Sequence, residues 1–207
     1  MRLFRPVGLN ELRLIFETEM IAFPPRLPEQ PIFYPVLNAP YAIKIARDWN
    51  TKSEMRAGYV TEFEVEDAYV SRFEPHIVGS REHEELWVPA EELAEFNSHI
   101  RGKIRVFEAY FGEGFTGYIP ERFGLAGKNA SEQFSSLAGS LEYSSFDFAL
   151  ESAANRLAIF LHFPYWTRYD FAQDGISSER KREALQDVQR VWTERYPDMP
   201  LCYAASS

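Results

Sequence analysis

The amino-acid sequence predicts an α+β protein, with a compact mixed or antiparallel sheet in residues 1–110 and a mainly helical half in residues 111–207 packed on it. Three patterns lead there. Residues 58–65 alternate, with Tyr59, Thr61, Phe63 and Val65 on one side and Val60, Glu62 and Glu64 on the other, the two-residue period of a strand. Glu85-Leu86-Trp87-Val88-Pro89 reads as a strand closed by a proline that cannot donate to a ladder. Beyond residue 130 the period becomes helical, whereas the connections before it are too short and uneven for the crossover helices of a parallel sheet.

In chain order, residues 3–7 form a short strand carrying Arg5, punctuated by Pro6 and Gly8. Asn10 is placed to cap a helix bearing Leu12, Ile15 and Phe16, with Glu11 in its first turn. Residues 23–31 carry too many prolines for regular structure and read as a stiff loop. A strand at 32–36 follows, then a helix capped by Asn38 with Pro40 in its first turn and an apolar stripe of Tyr41, Ala42, Ile45, Ala46 and Trp49. A helical turn after Asp67, a strand at 76–79, a turn at 80–82, a brief helix at 90–97 and a strand at 100–110 complete the first half.

Residues 111–120, rich in glycine and aromatics, read as an ordered loop or domain junction. Helices follow at 130–141 and 145–163, the second turning Phe148, Leu150, Ala153, Leu157, Phe160 and Leu161 inward. Asp147 is a cap or first-turn acid there, and Glu151 with Asn155 forms an i, i+4 pair. Ser177 or Ser178 caps a last helix through Leu185, Val188 and Trp192, which Pro197 and Pro200 end.

Composition narrows the function. A net charge of -9 argues against a nucleic-acid backbone as partner, and 17 Phe with 11 Tyr supply both core and stacking walls for a flat ligand. A single cysteine, Cys202, leaves no internal disulfide and no thiolate zinc site. His76, His83, His99 and His162 lack the close spacing of metal ligands, so no metal is expected. With no signal-like amino terminus and no long apolar run, the expectation is a cytoplasmic protein that does not engage a membrane.

Strand alternation singles out one carboxylate. His83, Glu85 and Trp87 share one face, and Glu84, Leu86 and Val88 the other. Taken alone, this is equally a solvated strand end, Arg5 an ion-pair partner for one of 31 acids, and Tyr34 and Tyr41 core residues.

The order of these features resembles the ADP-ribosyltransferase superfamily over about the first half of the chain. More closely, Leu3-Phe4-Arg5-Pro6-Val7, Ile32-Phe33-Tyr34-Pro35-Val36, Ala46-Arg47-Asp48-Trp49-Asn50, the run from Glu85 to Leu93 and Tyr143-Ser144-Ser145-Phe146-Asp147-Phe148 look like bacterial proteins labelled "ADP-ribosylation/crystallin J1". The resemblance implies NAD as substrate, held by Arg5 with Tyr34 or Tyr41 packing the nicotinamide. It makes Glu85 the catalytic acid beside the reacting ribose, and His83 the residue that orients an acceptor, either a protein or a small molecule. The superfamily's Ser-Thr-Ser strand has no counterpart here, which keeps a second reading open: a catalytically inactive nucleotide- or protein-binding module on the same fold.

Overall fold

A computed structural model describes residues 1–79 and 83–203, without the side chains at 142, 143 and 145–147. The expected turn at 80–82 and the capping role of Asp147 lie outside the described residues. The chain divides into two compact units, Met1–Gly112 and Glu113–Ser207.

The first unit is built on β1 (Arg2–Gly8), α1 (Leu9–Glu17), β2 (Ile32–Phe33), α2 (Ala39–Asp48) and β3 (Ala57–Val65). It continues with α3 (Asp67–Val70), β4 (Pro75–Ile77), β5 (Glu84–Leu86), β6 (Val88–Pro89), α4 (Leu93–Ser98) and β7 (Ile100–Phe111). β3 lies between β1 and β7, and every strand pairing described is antiparallel.

Residues 31–37 extend this sheet. Phe4 and Val36 exchange backbone hydrogen bonds at 2.9 and 2.7 Å, and Val36 in turn bridges Glu85. Leu37 N–H donates to Glu84 at 3.0 Å, Leu86 N–H to Pro35 at 2.8 Å and Ala90 N–H to Pro31 at 2.8 Å. These bonds share one register with the Phe33–Val88 pair, and that register sets Tyr34 opposite Trp87. The order across the sheet is therefore β7, β3, β1, residues 35–37, β5, β4.

Two cores flank it. On one face Leu3, Tyr59, Phe63, Phe23, Phe33 and Phe96 are buried with α1; on the other Phe4, Val36, Val60, Tyr41, Ala42 and Ala46 form a cluster under α2. The expected alternation of β3 is observed, with Tyr59, Thr61, Phe63 and Val65 all buried. Asn38 caps α2 by accepting from Tyr41 N at 2.9 Å. Trp49 is not part of that stripe, being 61% exposed. Asn10 does not cap α1: the helix begins at Leu9, two residues before a helix capped by Asn10 would, with Gly8 in the N-cap position and Leu9 buried in the core. Gly58 lets β3 lie against α2, since a Cβ there would overlap the carbonyl of Ala46.

The second unit holds α5 (Ala130–Tyr143), α6 (Ser145–Ala154), α7 (Arg156–Arg168) and α8 (Ser178–Arg195). Asn129 and Glu132 make a reciprocal capping box at α5, and Ser177 caps α8 through Arg180 N. The single helix expected over residues 145–163 is two, broken at Asn155, and Leu150 is 51% exposed rather than inward. Asn155 and Glu151 do not pair through their side chains; Asn155 Nδ2 donates to the Glu151 carbonyl at 3.0 Å, which occupies the chain break.

His162 sits fully buried at the centre of this unit. Tyr118 N–H donates to its Nε2 at 2.8 Å, so the proton is on Nδ1, which donates to Gln133 Oε1 at 2.8 Å. Gln133 Nε2 then donates to the carbonyls of Tyr118 and Lys128. Gly117, at φ 79°, has no side chain to displace the imidazole.

Two outcomes follow from this packing. Gly58→Ala should cost about 1–3 kcal/mol of stability, read by urea unfolding, because strand and helix must separate to admit the methyl group. Burial depresses the His162 pKa to about 3, so it folds neutral while the unfolded chain takes up a proton near its ordinary value of 6.5. Its contribution is complete above that value and declines as pH falls toward 3, by up to about 1.4 kcal/mol per pH unit. His162→Gln should flatten that part of a stability-against-pH profile.

Candidate functional site

The strand faces decide which candidate residues meet. Phe4, Val36 and Glu85 stand in line across the sheet and project to the α2 side, whereas Arg5, the next residue along β1, pairs with Thr61 and projects to the α1 side. Arg5 and Glu85 therefore do not face a common cleft.

Arg5 is also occupied. It is 7% exposed, and its Nε and Nη2 hold both oxygens of Glu11 at 2.7 and 3.2 Å. Its Nη1 donates to the carbonyl of Tyr34 at 3.2 Å, and its guanidinium lies 4.6 Å from the Phe33 ring centre. Arg5, expected opposite Glu85 on a dinucleotide, lies on the other face: register turns it inward, and the helix that follows β1 supplies its carboxylate.

On the α2 face the other candidates gather. Glu85 is partly exposed, and its Oε1 accepts from Trp87 Nε1 at 2.8 Å. Trp87 is 45% exposed, with His76 stacked on it at 4.2 Å and Tyr34 meeting it edge-on at 6.1 Å. His83 stacks on Tyr41 at 4.2 Å and 11°, and its Nδ1 donates to the Val78 carbonyl at 3.2 Å. Tyr41 is 6% exposed, a floor under His83 rather than an open wall; burial, and secondarily the charge of Glu85, raise its phenol pKa. Tyr34 is 37% exposed and open to a ligand.

Compared with family models, curated proteins and solved structures, the chain finds no match. The α2 face presents a carboxylate fixed by an indole N–H and bordered by Tyr34, His76, His83 and Trp87. Such a set can hold a flat, positively polarised ring and accept hydrogen bonds from hydroxyl groups.

Among the described residues no group of three or more His, Cys, Asp or Glu could hold a metal ion, and no helix is long and apolar enough to cross a membrane. Sequence reasoning passed over His76 and gave Trp87 no role. The signal for Trp87 was its spacing of two from Glu85. His76 reaches the site through the β4–β5 pairing, which opposes it to Glu85.

The two charged residues should respond differently to removal. Arg5→Met removes both hydrogen bonds to Glu11 and leaves it only the more distant Arg26 at 3.9 Å, and should cost about 1–3 kcal/mol. Glu85→Gln, at a partly exposed strand end, should stay within about 0.5 kcal/mol of the parent in the same urea titration.

Proposed function

We propose that the α2 face of the first unit binds the nicotinamide riboside end of NAD, and that Glu85 supports loss of nicotinamide and transfer of ADP-ribose to an acceptor. The finer fold proposed with it is an ADP-ribosyltransferase-like sheet, supported by the order of the sequence features. One observation carries the reading: the partly exposed Glu85 carboxylate is fixed by Trp87, whose indole in turn meets the Tyr34 and His76 rings.

The chemistry suits that set. Nicotinamide in NAD is a pyridinium cation, attracted to an indole face and to a nearby carboxylate. As the nicotinamide–ribose bond breaks, its electron pair leaves with nicotinamide and positive charge develops on the ribose. A carboxylate already in place stabilises that charge and accepts from a ribose hydroxyl, without reorganisation at the moment of reaction. His83 stands two residues from Glu85 on the same face and would orient the acceptor.

A second reading, binding without transfer, is favoured by the commitment of Arg5 to Glu11, which removes it from the site. Titrating NAD into the purified protein while following nicotinamide release separates the two. The transferase reading expects saturable binding, release that falls at least about tenfold in Glu85→Gln, and weaker binding in Trp87→Ala. Binding with no release leaves the nucleotide-binding module; release indifferent to Glu85 removes the role given to that residue; no binding at millimolar NAD removes the transferase and the nucleotide-binding readings and leaves a protein-binding module.

A further inference from the structure

The first unit encloses more positive than negative charge beside residues 31–37. The side chains of Arg5 and Arg26 are only 8% and 10% exposed, and one carboxylate, Glu11 at 22%, serves both. Arg5 takes both of its oxygens. Arg26 Nη1 is left 3.9 Å from the Oε1 that Arg5 Nε already holds at 2.7 Å, beyond hydrogen-bond reach.

The rest of Arg26 is fully used. Its Nε donates to the carbonyls of Gln30 and Ile32 at 3.3 and 3.1 Å, and its Nη2 to Gln30 Oε1 at 2.9 Å, which pins the proline-rich loop to β2. Nη1 makes no hydrogen bond to any described residue, yet it is not among the buried unpartnered atoms, so it reaches solvent. Desolvation and the neighbouring Arg5 pull the Arg26 pKa down, against the opposing influence of Glu11 and the Tyr34 phenol. Two guanidiniums against one carboxylate leave a net positive charge in surroundings that hydrate it poorly. An anion supplied from solution would balance it.

We propose that Arg26 Nη1, backed by the charge of Arg5, binds an oxyanion: the phosphoryl or carboxylate group of a ligand. Tyr34 gives its carbonyl to Arg5 on this face of the sheet, while its ring meets Trp87 on the opposite face. The oxyanion site stands without the NAD reading, because it rests on the Arg5–Arg26–Glu11 charge imbalance alone.

Calorimetry with pyrophosphate and with acetate, on the full chain at low salt, tests it. At least one of the two is expected to bind the parent, the stronger naming the group: pyrophosphate for a phosphoryl group, acetate for a carboxylate. Arg26→Gln should weaken that binding at least about tenfold. Glu11→Gln, which removes the competing charge but leaves the bonds between Arg26 and its loop, should tighten it several-fold. If Arg26→Gln fails to fold, Glu11→Gln decides alone. Binding of neither anion, equal binding by parent and Arg26→Gln, or no tightening in Glu11→Gln overturns the proposal. Glu85→Gln should bind the anion as the parent does, so loss of NAD cleavage and loss of the oxyanion site are read separately.

Discussion

The pairing of residues 31–37 between β1 and residues 84–90 is the constraint on which the first unit depends. Among the described residues it is what joins the three-stranded sheet to the β4–β5 hairpin, since Val36 bridges both Phe4 and Glu85. A register slip of one residue would exchange the faces, turning Glu85 and Trp87 into the core and Leu86 and Val88, now 2% and 0% exposed, into solvent. Burial of those two side chains with Phe33 is what fixes the acid on the outside.

Local patterns were legible in the sequence where the physics is local. The alternation around Glu85, the caps at Asn38 and Ser177, and the change from strand to helix periods all involve neighbours within four residues. The placement of Arg5 was not legible. Whether a residue on β1 faces the same way as one on β5 depends on the bridges from Phe4 to Val36 and from Val36 to Glu85, which join segments some thirty and fifty positions apart. The break at Asn155 was hidden for another reason: apolar spacing on both sides of it suits a continuous helix, and only the backbone angles of Asn155, φ -108° and ψ 27°, separate the two.

The two units handle buried polarity in opposite ways. In the second, His162, Gln133 and Tyr118 satisfy one another without charge. The first buries ions and leaves them unequal in number. A neutral, complete network favours permanence, whereas an incomplete ionic one favours a partner from outside.

β4 is the outermost strand of the extended sheet and begins with Pro75. Its three residues offer few backbone groups, and the proline nitrogen has no hydrogen to give. A neighbouring molecule would find little there to continue the ladder, even though Ile77 is 60% exposed. The hairpin that carries Glu85 thus ends the sheet in a blunt margin, protected against growth by the addition of further strands.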